Sequence, residues 1–247
     1  MIPDPWFWAI AIPAVTLTGI SKGGLGGGAA VSTPLLALVL PPAHAAAIML
    51  PVLCIMDLAG MRLYLGQWDR RIMRILVPAG LLGCLIGAFT FRLIDDAWLR
   101  VALGAIALGF LGWSLYPRKH LPEKPGTAAG WFWGTLSGLT SFIAHAGSPP
   151  VMVYLVPQKL EKAAFVATSL VFFMTLNYAK IVPYVWLGLF DTRVLATSAL
   201  LVPVGIVGTY IGMWMQRRID VRWFYRIIYS LLFLTGTKLL YDGVTAL

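Results

Sequence analysis

Two stretches of this chain repeat one another at a fixed distance. Pro78-x-Gly80-x-x-Gly83-x-x-x-Gly87, followed by Arg92-x-Ile94-Asp95-x-x-Trp98, returns without a gap as Pro203-x-Gly205-x-x-Gly208-x-x-x-Gly212, followed by Arg217-x-Ile219-Asp220-x-x-Trp223, an offset of 125 residues. The same offset relates Leu115-Tyr116 to Leu240-Tyr241, and Gly66-x-x-Asp69 returns as Gly188-x-x-Asp191 with a three-residue slip. The copies agree best where the chain is apolar. Internal duplication of an apolar chain is the usual build of secondary transporters, whose site lies between the halves.

That the chain belongs in a membrane follows from its charge content. Of its 247 residues 59% are apolar and only 12% charged, against about a quarter charged in soluble domains. Such a chain cannot cover a water-facing surface. The net charge of +9 falls mostly in short connections between apolar segments, where it suits phospholipid headgroups and orientation signals rather than nucleic acid. The start, Met1-Ile-Pro-Asp-Pro-Trp-Phe-Trp8, has no basic region and no cleavage site, so no removable signal peptide is expected. Cys54 and Cys84 lie in apolar segments without CxxC or His-rich spacing. They read as packing residues, and no metal or cofactor is expected.

Six apolar runs, near 45–65, 73–91, 97–116, 163–187, 194–215 and 223–243, are each long enough to cross a core of about 30 Å as a helix of ~20 residues. Trp and Tyr near their ends suit interfacial belts. The polar segment 117–127 divides the chain into a first repeat, 1–116, and a second, 128–247. Two further apolar stretches, near 5–40 and 129–158, are interrupted at their centres by Ser21-Lys-Gly-Gly-Leu-Gly-Gly-Gly28 and Ser141-Phe-Ile-Ala-His-Ala-Gly-Ser-Pro-Pro150. Gly19 to Gly28 aligns with Gly138 to Gly147, so the interruption belongs to the duplication.

Each interrupted stretch is either one broken span or a hairpin that re-enters. Single spans would distribute the loop Lys and Arg evenly between the two sides. Re-entrant hairpins leave three crossings per repeat, and then Arg70, Arg71, Arg74, Arg118, Lys119, Lys124, Lys159, Lys162, Arg217, Arg218, Arg222 and Arg226 share one side, against Arg92, Arg100 and Arg193 on the other. That asymmetry is the one expected of cytoplasmic against outer loops. The expected fold is therefore an all-α integral membrane protein of two inverted repeats. Each repeat is a re-entrant or broken helical hairpin followed by three transmembrane helices, with both termini outside.

Two hairpin tips entering from opposite faces would meet near the midplane, where unwound backbone is tolerated only against protein or water. Glycines there let backbone N–H groups approach a ligand. The helices restarting after Gly28 and near Pro149-Pro150 would aim their N-termini inward, and such ends favour anions. The candidate anion site comprises Lys22, Gly23, Gly24, Gly26 and Gly27 from the first tip and Ser141, His145, Ala146 and Gly147 from the second. Asn177 and Lys180, one turn apart on a spanning helix, complete it. Asp57 holds a roughly equivalent place in the first repeat, as a proton-coupling carboxylate or as Lys22's partner. His145 titrates in a range suited to coupling.

Each of these has a plainer reading. Glycine-rich stretches in membrane helices also arise from close packing alone, Asp57 and Lys180 fit a structural ion pair, and a lone histidine is more often a structural donor. Gly24-x-Gly26-x-x-Ala29 matches a dinucleotide fingerprint by accident, since no strand precedes it and no acidic residue follows at the needed distance. Gly83-x-x-x-Gly87 and Gly208-x-x-x-Gly212 read as tight helix contacts.

Over nearly its whole length the chain resembles the sulfite exporter TauE/SafE family. The resemblance is carried by Ser141 to Pro150, Tyr154-Leu-Val-Pro-Gln158, Ala167-Thr-Ser169, Asn177-x-x-Lys180-x-x-Pro183-Tyr184, Leu187-Gly188 and the Gly-rich Gly19 to Gly28. It implies a multi-pass transporter of the bacterial inner membrane for small sulfur-containing anions such as sulfite, thiosulfate or a C2 sulfonate like sulfoacetate. An anion channel of the same architecture is the alternative. An enzyme is not expected, because no paired carboxylates, metal cluster or nucleophile–base set is visible. The expected partners are a small anionic substrate and membrane lipid, with a homodimer compatible and nucleic acid excluded.

The charge asymmetry makes a prediction about orientation. In intact cells an impermeant maleimide is expected to label Arg193→Cys, and to label Lys119→Cys only after permeabilisation; the reverse pattern would overturn the assignment of sides.

Overall fold

A computed structural model describes residues 2, 4–25, 29–61, 65–115, 124–215 and 221–247. The described residues form α-helices: α1 (Pro5–Ile20), α2 (Ala29–Leu36), α3 (Pro42–Met61), α4 (Arg70–Leu93), α5 (Asp96–Leu115), α6 (Thr127–Ala144), α7 (Ser148–Leu155), α8 (Lys162–Trp186), α9 (Thr192–Met215) and α10 (Val221–Thr245). A single π turn, Ser21–Leu25, extends α1, and a 3-10 turn, Val156–Gln158, follows α7. Six of the helices, α3, α4, α5, α8, α9 and α10, are long and apolar enough to cross a membrane. They correspond one for one to the six apolar runs, three in each repeat. Residues such as Phe89, Val207 and Phe233 on their outer faces are more than half exposed, an apolar surface that lipid, not water, would cover. This is a multi-pass membrane protein.

The repeated motifs build repeated local structure. Gly66 and Gly188 both adopt positive φ, 76° and 69°, a region that favours glycine. Three residues later the Asp69 carboxylate accepts the Arg71 and Ile72 N–H groups at the start of α4. Asp191 accepts the Val194 N–H, 2.6 Å away, at the start of α9. Gly-x-x-Asp is thus a turn and helix cap made twice.

The second interrupted stretch is a hairpin. Ser137 Oγ donates to Gly147 O at 2.6 Å, Gly130 lies against the Tyr154 ring, and Gln158 Nε2 donates to Pro125 O at 3.2 Å. Its two ends therefore meet at one level, and α7 runs back along α6. In the first repeat α2 packs against α1.

Each hairpin is held by the other repeat. Helix α6 runs parallel to α4, and α1 runs parallel to α9, with the duplicated glycines in the seams. A Cβ on Gly83 would stand 2.0 Å from Thr135 O, and one on Gly138 2.0 Å from Gly80 O. In the related seam, a Cβ on Gly208 would meet Thr16 O at 2.7 Å and one on Gly19 would meet Gly205 O at 2.5 Å. The two sets exchange under the alignment of the repeats. Backbone lies on backbone, which is what a small-xxx-small pattern permits.

Between these seams, α3 packs on α8 and α5 on α10. Both crossings are antiparallel: Gly60 meets Leu170 while Cys54 O accepts from Tyr178 Oη at 3.3 Å, and Gly104 meets Gly236 while Gly243 meets Ala97. Of the six long helices α3 is the most enclosed. Ala45 to Leu50 are fully buried without interruption, as befits a helix apolar on every face. Cys54 and Cys84 are buried and unpaired. The sequence boundary 117–127 is represented only by residues 124–127, since Tyr116 to Glu123 lie outside the described residues, as do Arg217 and Asp220.

Gly138→Ala is expected to destabilise the detergent-solubilised protein by at least about 1–3 kcal/mol, because the clash is with backbone that cannot turn aside. Gly112→Ala, where nothing lies within 4 Å, should change stability by no more than about 0.5 kcal/mol. Thermal unfolding of both variants checks the pair.

Candidate functional site

Where α6 stops short, its last carbonyls lose their helical partners. The chain leaves the helix at His145, which takes the left-handed conformation (φ 54°, ψ 24°) and returns its N–H to Ser141 O at 3.1 Å. Two side chains of α8 reach the same turn. Lys180 Nζ donates to Ser141 O at 2.9 Å and to Ser141 Oγ at 3.1 Å, and Tyr184 Oη donates to Phe142 O at 2.8 Å. A cation suits the end of a helix, where orphan carbonyls concentrate negative potential.

Lys180 makes a third contact, to His145 Nδ1 at 2.9 Å, while His145 Nε2 lies 3.0 Å from Ala46 O. A carbonyl only accepts, so Nε2 carries the ring proton and Nδ1 offers its lone pair to the ammonium. Lys180 is fully buried, and all three of these partners are neutral. Its three N–H groups are committed to holding the second tip.

The first tip is organised by the opposite charge. Lys22, in the π turn, pairs through Nζ with Asp57 Oδ1 on α3, and Asn177 Nδ2 donates to Asp57 Oδ2 at 2.7 Å. The Lys22 side chain is 18% exposed and that of Asp57 3%, so the lysine is the member a solute can reach. Asn177 stands one turn before Lys180 on α8. The two tips are therefore joined through one helix face, and Lys22, Asp57, Asn177, Lys180, Ser141 and His145 form a continuous belt, buried except at Lys22.

The alignment that pairs Gly19 with Gly138 also pairs Lys22 with Ser141. Each repeat thus makes a contact between its tip and its following helix, α3 or α8. In the first repeat the tip supplies the cation and the helix an anion; in the second the helix supplies the cation and the tip a carbonyl and hydroxyl. Two lysines face one carboxylate, which leaves the belt formally one positive charge in excess.

The remaining candidate residues divide differently. Gly23 and Gly147 are explained by packing: a Cβ at Gly23 would stand 2.3 Å from Thr209 O, and one at Gly147 2.6 Å from Ser137 O. Gly24 lies in the π turn, while Gly26 and Gly27 lie outside the described residues. Ala146 is buried and faces away from the charges, lining an apolar cavity of about 210 Å³ with Phe110, Trp113, Trp133, Pro149 and Pro150. That cavity lies behind the second tip rather than in the polar belt. Helix α7 does begin where expected, with Pro149 in its first turn. Tyr184 entered the sequence reading only through the motif Asn177-x-x-Lys180-x-x-Pro183-Tyr184 and was not placed in the site, and the Ala46 carbonyl is one that no side-chain pattern reveals. Among the described residues no three His, Cys, Asp or Glu side chains gather as a metal site would require.

Comparison with known proteins places the chain in a family. The family model described as Sulfite exporter TauE/SafE matches residues 11–239, nearly the whole length, and the chain belongs to this family of membrane transporters. No curated protein and no solved structure matches it.

Because Tyr184 closes a buried carbonyl, Tyr184→Phe is expected to lower stability by about 1–2 kcal/mol. Thermal or denaturant unfolding in detergent measures it, and an unchanged midpoint would remove this hydroxyl from the account of the second tip.

Proposed function

We propose that this TauE/SafE member is a secondary transporter that exports a small sulfur-containing anion, such as sulfite, thiosulfate or a C2 sulfonate like sulfoacetate, across the bacterial inner membrane. The observation that carries the reading is the buried belt with two lysines against one carboxylate. An isolated excess charge is costly away from water, and a bound anion would neutralise it. Lys22, the more exposed lysine, meets the ligand directly. Lys180 acts at a distance through its charge while its protons hold the second tip.

The site then lies near the midplane between inverted repeats. The antiparallel crossings of equivalent helices, α3 with α8 and α5 with α10, support the inversion. So does the exchange of glycine contacts between the α1–α9 and α4–α6 seams. A twofold relation that reverses helix direction turns one repeat over with respect to the other. Access to such a site alternates as one repeat moves against the other. A potential negative inside favours outward movement of an anion, by about 2.3 kcal/mol per charge per 100 mV, so export needs no further energy source.

Binding of sulfite, thiosulfate, sulfoacetate and taurine to the purified protein tests the proposal. The first three are expected to compete for one site, and taurine, whose ammonium would face Lys22, is expected to be excluded. Lys22→Ala should weaken anion binding by about tenfold or more, the loss of one charge-assisted hydrogen bond, with the fold retained. Undiminished affinity in that variant would remove Lys22 from the site. In proteoliposomes, saturable uptake with counterflow is expected, and unsaturated flux would favour a pore.

A further inference from the structure

Lys22 is already occupied by an anion, the Asp57 carboxylate. We infer that Asp57 is an internal stand-in for the transported anion, and that substrate displaces it from Lys22 while a proton is taken up on the carboxylate. The inference rests on the reading that Lys22 receives an anion, and it adds a proton that accompanies that anion.

The geometry leaves Asp57 few ways to remain ionised once Lys22 turns to a ligand. Among the described residues its carboxylate is held by two groups, Lys22 Nζ on Oδ1 and Asn177 Nδ2 on Oδ2. With Lys22 engaged elsewhere, a neutral amide alone would face a buried anion, and a second anion would stand close by. Protonation of Asp57 removes both penalties. Asn177 is suited to either state, because a side-chain amide offers a donor to the carboxylate and, after turning over, an acceptor to the carboxylic acid.

The other groups around Asp57 do not replace Lys22. From α8, Tyr178 donates to Cys54 O, and Lys180 is committed to Ser141 and His145. From α9, the contact near Asp57 is Gly205 against Met56 and Val52, while the titratable side chains of α9, Arg193 and Tyr210, lie elsewhere along it. Helix α2 carries no titratable residue, and those of α5, Asp96 and Arg100, are in its first two turns, where Arg100 donates to Ala37 O. Cys54, one turn away on α3, is buried and unpaired.

The step balances as one proton added to one Asp57 oxygen and one anion added to Lys22, with no change of oxidation state. A dianion would then cross with one proton and still carry one net negative charge outward.

Thiosulfate and sulfoacetate, whose own charges stay constant between roughly pH 6 and roughly pH 8, separate the outcomes. Weakly buffered wild-type protein titrated with either anion is expected to take up as much as one proton per anion bound. Affinity should fall by up to about tenfold per pH unit as pH rises. Asp57→Asn should bind more tightly near neutral pH, with neither proton uptake nor pH dependence. A carboxylic-acid C=O band appearing in the infrared difference spectrum of the wild type on anion addition provides a second readout that does not depend on the variant folding. Anion binding without proton uptake and without that band would overturn the inference and leave the anion site standing. Uptake that persists in Asp57→Asn would overturn the assignment to Asp57. Failure of the wild type to bind either anion at any pH would overturn the anion site itself.

Discussion

A helix that ends in the protein interior leaves carbonyls with no water to bond, and the rest of this structure is arranged around that deficit. The end of α6 is answered by Lys180, Tyr184 and the turned-back His145 N–H. Two of these three donors are side chains of the neighbouring helix α8. The demand places α8 beside the second tip and brings Asn177, one turn earlier, next to Asp57. A requirement of backbone chemistry in one hairpin thereby determines which side chains meet in the middle of the molecule.

The hairpins themselves are held by contacts that tolerate no side chain. Gly80 with Gly138, and Gly205 with Gly19, bring backbone against backbone across the two repeats. Each hairpin is fixed by a helix of the opposite repeat, so neither sequence half has a complete set of neighbours of its own. In lipid, where apolar contact alone gives helices little reason to associate, this closeness supplies dispersion contacts over a long seam.

Within this nearly symmetric frame the charges are not symmetric. A tip lysine meets a helix aspartate in one repeat, while a helix lysine meets a tip carbonyl and hydroxyl in the other. The substitution of an anion by neutral acceptors leaves a surplus positive charge, and surplus charge is the property on which a solute can act. At the aligned pair Lys22/Ser141 one repeat carries a cation and the other a neutral hydroxyl.

Much of this was legible in the chain itself, because the governing periods are local. Runs of apolar residues long enough for a bilayer marked α3, α4, α5, α8, α9 and α10, and Gly-x-x-Asp marked the turns and caps before α4 and α9. The interruption at Ser141 to Pro150 marked a break in the helix because proline and glycine act on their own backbone, and left open whether the chain turned back there. What the sequence left open was decided by partners far apart along the chain. That Asp57 partners Lys22 was decided only when the π turn came to lie against α3. Gly23 and Gly147, which in the sequence could equally have faced a ligand, lie against α9 and Ser137 because space around a glycine is set by whatever packs on it. Tyr184 and the Ala46 carbonyl gained their roles in the same way, since a hydrogen bond between helices depends on their mutual rotation, which no local pattern encodes.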